Sequence, residues 1–341
     1  MIDELANAID RILAGEDAST AQAHAAFAAL MDGRASETAI ASLLTALRMK
    51  GESVAEIVGA ASAMRERVTR IPSQRSGLLD TCGTGGAGLQ TFNVSTATAL
   101  VAAAAGVPVA KHGNRSATST SGSADVLEEL GVNVQISPDQ VAECLDQLGI
   151  GFCFARALHG AMRHAAPVRA ELGFRTVFNL LGPLTNPASA QFQIIGTVRA
   201  EIARKLAFAM AKLGTQRAFV VCGADQLDEV ALWGETSVFE VSEGRVTEHT
   251  WTHESFDLAE CTADELRVDA PAQSAEMIRQ VFSGAPGPAR DMILANSAAA
   301  LVVSGNCDDL RAGVALAREA IDSGAAENLC RRMAELTASF A

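Results

Sequence analysis

A glycine-rich segment from Asp80 to Gly88 is the first stretch of the sequence whose residues suggest a chemical task. It reads Asp-Thr-Cys-Gly-Thr-Gly-Gly-Ala-Gly and leads into an alanine-rich stretch of helical character. Clustered glycines let backbone N–H groups approach an anion closely, and the N-terminus of a following helix adds partial positive charge. The segment predicts a phosphate cradle, with a simple tight turn as the alternative.

The same glycines also match the dinucleotide-binding pattern Gly-x-Gly-x-x-Gly, through Gly83, Gly85 and Gly88. That pattern calls for an acidic residue about 20 positions later to bind a ribose hydroxyl. Residues 102–108 contain no acid, and the sequence has no P-loop pattern Gly-x-x-x-x-Gly-Lys-Ser/Thr. A nicotinamide cofactor and a P-loop nucleotide are therefore both disfavoured.

A basic cluster of Lys111, His112 and Arg115 follows the apolar segment 107–110, in a chain whose formal net charge is −13. Ligands of open α/β sheets bind where the strands end. We therefore predict a polyanion pocket built from this loop and the glycine-rich one. His112 keeps a second interpretation, that of a buried histidine with a structural role.

Asn93, Ser95 and Thr96 lie where the alanine-rich helix is expected to begin. Amide and hydroxyl groups at that position either cap the helix or contact ligand oxygens. Taken alone, they favour capping. The nearby basic cluster makes ligand binding the second interpretation.

A segment rich in histidine and arginine, residues 159–175, leads into a Gly-Pro and Asn-Pro loop at 182–187. Arginine suits a carboxylate because its guanidinium group donates two parallel hydrogen bonds. We predict a slot for a small acidic aromatic molecule around His159, Arg163 and Arg169. A solvated helix face is the alternative.

Acidic residues Asp225, Asp228 and Glu229 follow the apolar segment 218–222. Carboxylates at a strand end provide the hard oxygen ligands that Mg²⁺ prefers, and Mg²⁺ in turn can hold a diphosphate. Asp228 and Glu229 therefore predict a magnesium site. For two neighbouring acids alone, a solvated acidic turn is the more common outcome.

The elements that position these groups begin with a wholly helical region over residues 1–70. Its apolar residues recur at helical spacing, Gly15, Gly33 and Gly51 mark helix ends, and Ser53 with Glu56 predicts a capping box. Such a small bundle must bury its apolar stripes against another domain or a second copy of the chain.

From residue 77 the pattern changes to short apolar segments that alternate with helices, one of them beginning at Ser137 and Pro138. This alternation predicts an α/β fold with a mostly parallel central sheet flanked by helices. We expect a small helical domain over 1–70, joined by part of 160–185, and a large α/β catalytic domain over 77–341. The expected strands are 78–79, 107–110, 133–136, 150–155, 193–198 and 218–222, with a hairpin over 233–251 and a helical tail from about residue 274.

Composition limits the class of protein. With 341 residues, 49% of them hydrophobic, the chain is long enough for a large core, and its acidic charge argues against nucleic-acid or anionic-membrane partners. Seven scattered cysteines without a Cys-x-x-Cys pair indicate reduced thiols in the cytoplasm. We also expect no signal peptide and no membrane span.

Taken in order, these motifs resemble those of the anthranilate phosphoribosyltransferase family of tryptophan biosynthesis. The resemblance covers nearly the whole chain, including the stretch from Ala46 to Glu52. It implies transfer of a phosphoribosyl group from 5-phospho-α-D-ribose 1-diphosphate to anthranilate with Mg²⁺. It also implies a helical domain used for dimerisation and a larger α/β domain shared with pyrimidine nucleoside phosphorylases. The motifs are Gly83-Thr-Gly-Gly, Asn93-Val-Ser-Thr, Lys111-His-Gly-Asn-Arg-Ser, the stretch from Arg175 to Pro187, and Leu227-Asp-Glu.

The resemblance implies roles residue by residue. No single base is assigned, and Lys111 and Arg169 are expected to act as electrostatic and positioning groups. Mg²⁺ would be bound by Ser95, Asp228 and Glu229, and anthranilate by Gly83, His112, Asn114, His159 and Arg169. Phosphoribosyl diphosphate would be held by Gly83, Gly86, Ala87, Thr91, Asn93, Val94, Ser95, Thr96, Lys111, His112, Gly113, Asn114, Arg115, Ser116, Ala117, Thr118, Ser119 and Ser123.

Two positions depart from the family pattern: Ala87 stands where aspartate is usual, and Gly160 where proline is usual. The nearest alternative is a pyrimidine nucleoside phosphorylase, whose Lys-x-Ser-Gly-Arg signature is absent because Lys111 is followed by His-Gly-Asn-Arg. A non-catalytic relative that binds nucleic acid is disfavoured by the acidic charge. The expected partners are therefore the two small substrates and a second copy of the chain.

Overall fold

The N-terminal region is wholly helical in the computed structural model, which describes residues 2–86, 89–116 and 121–340. Ser19, Ser36 and Ser53 each accept a backbone N–H at the start of a helix, and Ser53 forms the predicted capping box with Glu56. Gly51 ends the third helix with φ of 84°, a conformation that favours glycine. The helices are α1 (Asp3–Leu13), α2 (Thr20–Met31), α3 (Glu37–Lys50) and α4 (Val54–Arg65).

A seven-stranded sheet forms the centre of the larger α/β domain, with the strand order β3-β2-β1-β4-β5-β6-β7. The first five strands pair in parallel and the last two are antiparallel, which confirms the predicted mostly parallel sheet. The strands are β1 (Leu79–Gly83), β2 (Val109–Gly113), β3 (Ile150–Phe154), β4 (Phe192–Gly196), β5 (Arg217–Cys222), β6 (Thr236–Ser242) and β7 (Arg245–Trp251).

Helices cover both faces of this sheet. One face packs mainly against α5 and α14, and the other against α11, which also contacts α4 of the N-terminal bundle. The remaining helices are α5 (Val94–Ala104), α6 (Ser123–Glu129), α7 (Pro138–Leu148), α8 (Ala155–Leu158), α9 (Ala166–Leu172), α10 (Phe178–Leu181), α11 (Ala200–Lys212), α12 (His253–Phe256), α13 (Pro271–Phe282), α14 (Pro288–Val303), α15 (Leu310–Asp322) and α16 (Ala325–Ala338). Short 3-10 segments cover 160–164, 182–184, 224–226 and 263–266.

The strand predicted over 133–136 is wrong. Val132 and Val134 are buried as a strand pattern requires, but the N–H of Asn133 donates to the Thr337 hydroxyl on α16, at 3.0 Å. The N–H of Gln135 donates to the Asn133 side chain at 3.0 Å. Side chains therefore satisfy backbone groups that a neighbouring strand would otherwise take, and the segment is a loop anchored by Val132 and Val134.

The sheet topology determines where loops converge. β1 lies between β2 on one side and β4 on the other, so the direction in which the chain adds strands reverses between β1 and β4. In parallel sheets a crevice opens at such a point, outside the carboxyl ends of the strands. Gly83, Gly113 and Gly196 end these three strands at that edge.

The segment from residue 160 to 184 returns to the N-terminal helices. Its 3-10 segment contacts α2, α9 contacts α3, and α10 contacts α4. Among the described residues, no helix has the length and apolar character that crossing a membrane requires.

Candidate functional site

A cavity of about 880 Å³ opens at the carboxyl ends of β1 and β2. Two residues of the predicted site, Val94 and Thr96, do not line this cavity, because they are buried in the packing of α5. Ala87, Ala117, Thr118 and Ser119 lie outside the described residues. The cavity brings together Gly83, Gly86, Thr91, Asn93, Ser95, Lys111, His112, Gly113, Asn114, Arg115, Ser116, Ser123, His159, Arg169, Asp228 and Glu229 from the predicted site.

Two adjacent carboxylates, Asp228 and Glu229, enter the cavity from the loop after β5. A Cβ atom at Gly196 would lie 1.6 Å from the Asp228 carbonyl oxygen, so only glycine lets this loop pack against the end of β4. A Cβ atom at Gly83 would lie 2.8 Å from Asp228 Oδ2. The Ser95 N–H donates to Glu229 Oε1 at 3.0 Å, which joins the carboxylate loop to the start of α5.

The electrostatics of this pair favour a bound cation. Burial raises the pKa of Asp228, and burial together with the Asp228 charge raises the pKa of Glu229 to about 8. Within the described part of the chain, neither carboxylate has a salt-bridge partner within 4.0 Å. Two neighbouring carboxylates that face a cavity without a salt-bridge partner fit a hard divalent ion such as Mg²⁺.

Lys111 supplies a buried cation between β1 and α5, with only 3% of its surface exposed. Its ammonium group donates to the Thr81 carbonyl oxygen and lies 3.4 Å from Ser95 Oγ. Burial lowers its pKa, and the charges of Asp80 and Glu229 oppose that change. The structure therefore holds a rigid positive charge beside the carboxylate pair.

Asn93 was expected to cap α5 or to contact a ligand, and the structure shows that it does not cap. Its side-chain oxygen accepts hydrogen bonds from the hydroxyls of Ser121 at 2.7 Å and Ser274 at 2.9 Å. Its amide group donates to the Ser121 carbonyl oxygen at 3.3 Å. Asn93 therefore ties the start of α5 to the loop before α6 and to α13.

The second region of the cavity is less polar. Arg169 projects from α9 with its guanidinium carbon 5.3 Å from the centre of the Phe178 ring, and burial lowers its pKa. Met64, Met162 and Pro183 line the same cavity. An arginine among apolar and aromatic surfaces fits the predicted slot for a small acidic aromatic molecule.

The two predicted histidines of this region, His112 and His159, contact each other directly. Their Nε2 atoms lie 3.1 Å apart, and both side chains are buried. Nδ1 of His112 lies 3.1 Å from the carbonyl oxygen of Gly182. Both ring nitrogens of His112 have partners within the chain and the residue also lines the cavity, so its structural and catalytic interpretations both stay predictions.

Arg115, predicted from the basic cluster, is already paired. Its guanidinium group lies 2.9 Å from Asp125 and 2.6 Å from Glu128, both on α6. These contacts hold the loop after β2 against α6. Its predicted role toward a ligand stays a prediction.

Sequence reasoning missed the role of Arg175, although its motif was noted. Its Nη1 donates to the carbonyl oxygen of Gly85 at 2.6 Å, and its Nη2 to that of Thr84 at 3.0 Å. A Cβ atom at Gly86 would lie 1.7 Å from Nη1, so the glycine is required for this contact. By holding two carbonyl groups, Arg175 fixes the peptide planes of the glycine-rich loop.

Asn296 was also missed. It is buried in α14, accepts the Val230 N–H at 2.9 Å and donates to the Val230 carbonyl oxygen at 3.1 Å. It therefore holds the backbone next to Glu229. Its signal in the sequence was a single amide among the mostly apolar residues of α14, since a buried amide needs partners.

Comparisons with known proteins give a consistent picture. Residues 75–327 match the α/β domain of a glycosyl transferase family, and residues 6–68 match the helical bundle domain of the same family. The anthranilate phosphoribosyltransferase of Rhodopirellula baltica is 51% identical, with 96% of each chain covered. The crystal structure of that enzyme from Thermus thermophilus superposes with a TM-score of 0.91 at 43% identity, covering 97% of this chain and 99% of the other. The Saccharomyces cerevisiae enzyme in complex with PRPP and Mg gives a TM-score of 0.90 at 28% identity, covering 98% of each chain.

Proposed function

The chain belongs to the anthranilate phosphoribosyltransferases of this glycosyl transferase family, and we propose that it catalyses their reaction. A phosphoribosyl group passes from 5-phospho-α-D-ribose 1-diphosphate to the amine of anthranilate in tryptophan biosynthesis. The products are N-(5-phosphoribosyl)anthranilate and pyrophosphate. The observation that carries the proposal is one cavity that joins a glycine-rich loop, a buried lysine, a carboxylate pair and an arginine-bearing apolar slot.

The phosphoribosyl diphosphate occupies the polar region, where backbone N–H groups can approach its phosphates without side-chain interference. Gly85 and Gly86 have φ of 64° and 84°, a conformation that favours glycine. No side chain therefore projects from the loop at these two positions. The predicted contacts here are Gly83, Gly86, Thr91, Asn93, Ser95, Lys111, His112, Gly113, Asn114, Arg115, Ser116 and Ser123. The predicted contacts Ala87, Ala117, Thr118 and Ser119 lie outside the described residues and stay predictions.

Asp228, Glu229 and Ser95 are the residues that would hold Mg²⁺. Bound there, Mg²⁺ neutralises charge on the diphosphate. The chain keeps both carboxylates at the cavity through the close approach of Asp228 to Gly196 and through Asn296.

Anthranilate occupies the less polar region. Arg169 donates to its carboxylate, His112, His159 and Asn114 lie along the ring, and the amine points toward the sugar. The bond from the sugar's anomeric carbon to the diphosphate breaks as the amine nitrogen bonds to that carbon from the opposite face. Lys111 stabilises the negative charge that develops on the leaving pyrophosphate, and the slot contributes by holding the amine in line.

An assay that follows the loss of anthranilate fluorescence tests the proposal directly. Consumption is expected only when phosphoribosyl diphosphate and Mg²⁺ are both present. A pyrimidine nucleoside phosphorylase would instead consume inorganic phosphate and a nucleoside, and a non-catalytic relative would consume neither pair. Either of those results would refute the assignment.

Replacement of Arg169 by alanine is expected to raise the KM for anthranilate roughly 10-fold to 100-fold, because a hydrogen bond to a charged group contributes about 1.5–3 kcal/mol. The KM for phosphoribosyl diphosphate should change little. Arg169→Lys keeps the charge but not the forked geometry, so its KM for anthranilate should lie between those of the wild type and Arg169→Ala. Steady-state kinetics with each substrate varied measures both values, and an unchanged anthranilate KM in Arg169→Ala would refute this role.

Replacement of Arg175 by lysine is expected to raise the KM for phosphoribosyl diphosphate by roughly 10-fold, because one ammonium group cannot hold two carbonyl oxygens as the guanidinium fork does. The anthranilate KM should stay near its original value, since Arg175 acts on the glycine-rich loop. Arg204→Lys on α11, whose guanidinium carbon lies 6.0 Å from the centre of the Phe208 ring, is the matched control. Equal kinetics in the two variants would show that the loop does not depend on Arg175.

The helical region over 1–70, with part of 160–185, would form the small domain, and residues 77–341 the catalytic one. Two copies of the chain would pair through the helical domain, with the whole assembly in the cytoplasm and without nucleic-acid or membrane partners. Large apolar side chains on this domain support the pairing: Met49 at the end of α3 is 84% exposed and Leu13 at the end of α1 is 70% exposed.

A further inference from the structure

The two contacting histidines have a fixed arrangement of protons. The Gly182 carbonyl oxygen can only accept a hydrogen bond, so Nδ1 of His112, 3.1 Å away, must carry a proton. A neutral imidazole has one proton, which leaves Nε2 of His112 as an acceptor. Nε2 of His159, 3.1 Å from it, must then be the N–H donor.

Burial keeps both rings neutral. It lowers the pKa of His112 to about 3, with the neighbouring His159 as a further cause, and that of His159 to about 4. A second proton on His112 would also place an N–H group on its Nε2, directly against the Nε2–H of His159. Each hydrogen bond in this series therefore has one possible donor. Nε2 of His159 donates to His112, and Nδ1 of His112 donates to the Gly182 carbonyl oxygen.

The open end of this arrangement is Nδ1 of His159, which must be an unprotonated acceptor. Its ring has no other hydrogen bond within the described residues. It is also not among the fully buried polar atoms that lack a partner, and the residue lines the cavity beside Arg169. A lone pair of fixed orientation therefore meets the less polar region of the cavity.

We propose that Nδ1 of His159 accepts the hydrogen bond of the attacking amine and takes its proton as the new bond forms. His112 and the Gly182 carbonyl group act as positioning groups that hold the acceptor tautomer. The inference rests on the proposed function, because it assigns the proton of that reaction.

The amine nitrogen bonds to the anomeric carbon with its lone pair, and the bond from that carbon to the diphosphate oxygen breaks with its electrons on the oxygen. One N–H proton of the amine moves to Nδ1 of His159, which becomes an imidazolium. That proton is released to solvent after pyrophosphate departs, and the neutral pair is restored.

Two variants of His159 separate its two nitrogen positions. In His159→Gln the amide group lies near the Nε2 position, which keeps the contact with His112 but removes the acceptor in the cavity. In His159→Asn the side-chain amide lies near the Nδ1 position, which keeps a hydrogen-bond acceptor that is a much weaker base. Single-turnover rate constants are expected to fall in the order wild type, His159→Asn, His159→Gln, with a loss of about 100-fold in the last.

Nitrogen-15 NMR of the histidine rings tests the arrangement itself without any turnover. The expected spectrum shows His112 protonated on Nδ1 and His159 protonated on Nε2, and addition of anthranilate together with pyrophosphate shifts the Nδ1 signal of His159. His249, which lies on β7 outside the lining of the cavity and 3.1 Å from Glu240, serves as the control ring.

The outcomes distinguish this inference from the proposed function. A wild-type protein that does not consume anthranilate refutes the function. A wild-type protein that does, combined with an unchanged single-turnover rate in His159→Gln or a proton on Nδ1 of His159 in the free protein, refutes only the role of His159. Melting temperatures of both variants near the wild-type value confirm that the rates report on the cavity.

Discussion

Replacement of Asp228 by asparagine and Glu229 by glutamine in one variant is expected to reduce Mg²⁺-dependent turnover by roughly 1000-fold. A metal ion contributes several kcal/mol of charge stabilisation, and each 1.36 kcal/mol is a factor of ten in rate. The amides keep the volume of the carboxylates but remove both negative charges. A titration of the initial rate with Mg²⁺ measures the loss and should show a weakened dependence at every concentration.

The fold should survive this change. Burial raises the pKa of both carboxyl groups, so their ionised forms are costly in the absence of a cation. Neutral amides avoid that cost, and the metal-free double variant should melt no lower than the wild type. Asp225, exposed in the same loop and 3.0 Å from the Trp233 ring nitrogen, offers Asp225→Asn as the control. A double variant with wild-type Mg²⁺ kinetics would exclude these carboxylates as metal ligands.

The fold could be predicted from the sequence wherever local pattern and final environment agree. The apolar runs of β2, β3, β4 and β5 are buried on both faces, so their patterns predict strands of a parallel sheet. The segment at 133–136 alternates polar and apolar residues, a local pattern that also predicts a strand. Its loop conformation depends on the hydrogen bond to Thr337, about 200 residues later in the chain, and no local pattern predicts that contact.

The residues of the candidate site also fall into two groups, those that local motifs predict and those that depend on contacts between distant parts of the chain. Motifs at strand ends, such as Lys111 near the end of β2 and Asp228 after β5, could be predicted because parallel strands end at one edge. The contacts of Arg175 with the glycine-rich loop and of Asn296 with Val230 join residues that are far apart in sequence. Only the packing of α14 and of the segment before α10 brings them together.

Replacement of Lys111 by methionine is the second change with a large expected effect, a fall in kcat of roughly 100-fold to 1000-fold, as for other single groups that stabilise developing negative charge. The Lys111 ammonium group is held by the Thr81 carbonyl oxygen and lies 3.4 Å from Ser95 Oγ, so it needs no rearrangement when pyrophosphate departs. Methionine has a similar length and no charge. The KM values should change less than kcat, and steady-state kinetics with each substrate varied separates the two effects.

A loss of stability could mimic this result, because removal of Lys111 leaves Asp80 buried without its opposing charge. The combination of Lys111→Met with Asp80→Asn removes both charges. The asparagine oxygen can still accept the His112 N–H, which Asp80 accepts at 2.9 Å. The double variant should regain the wild-type melting temperature but remain as slow as Lys111→Met. If its kcat recovers together with its stability, Lys111 serves the fold rather than the leaving group.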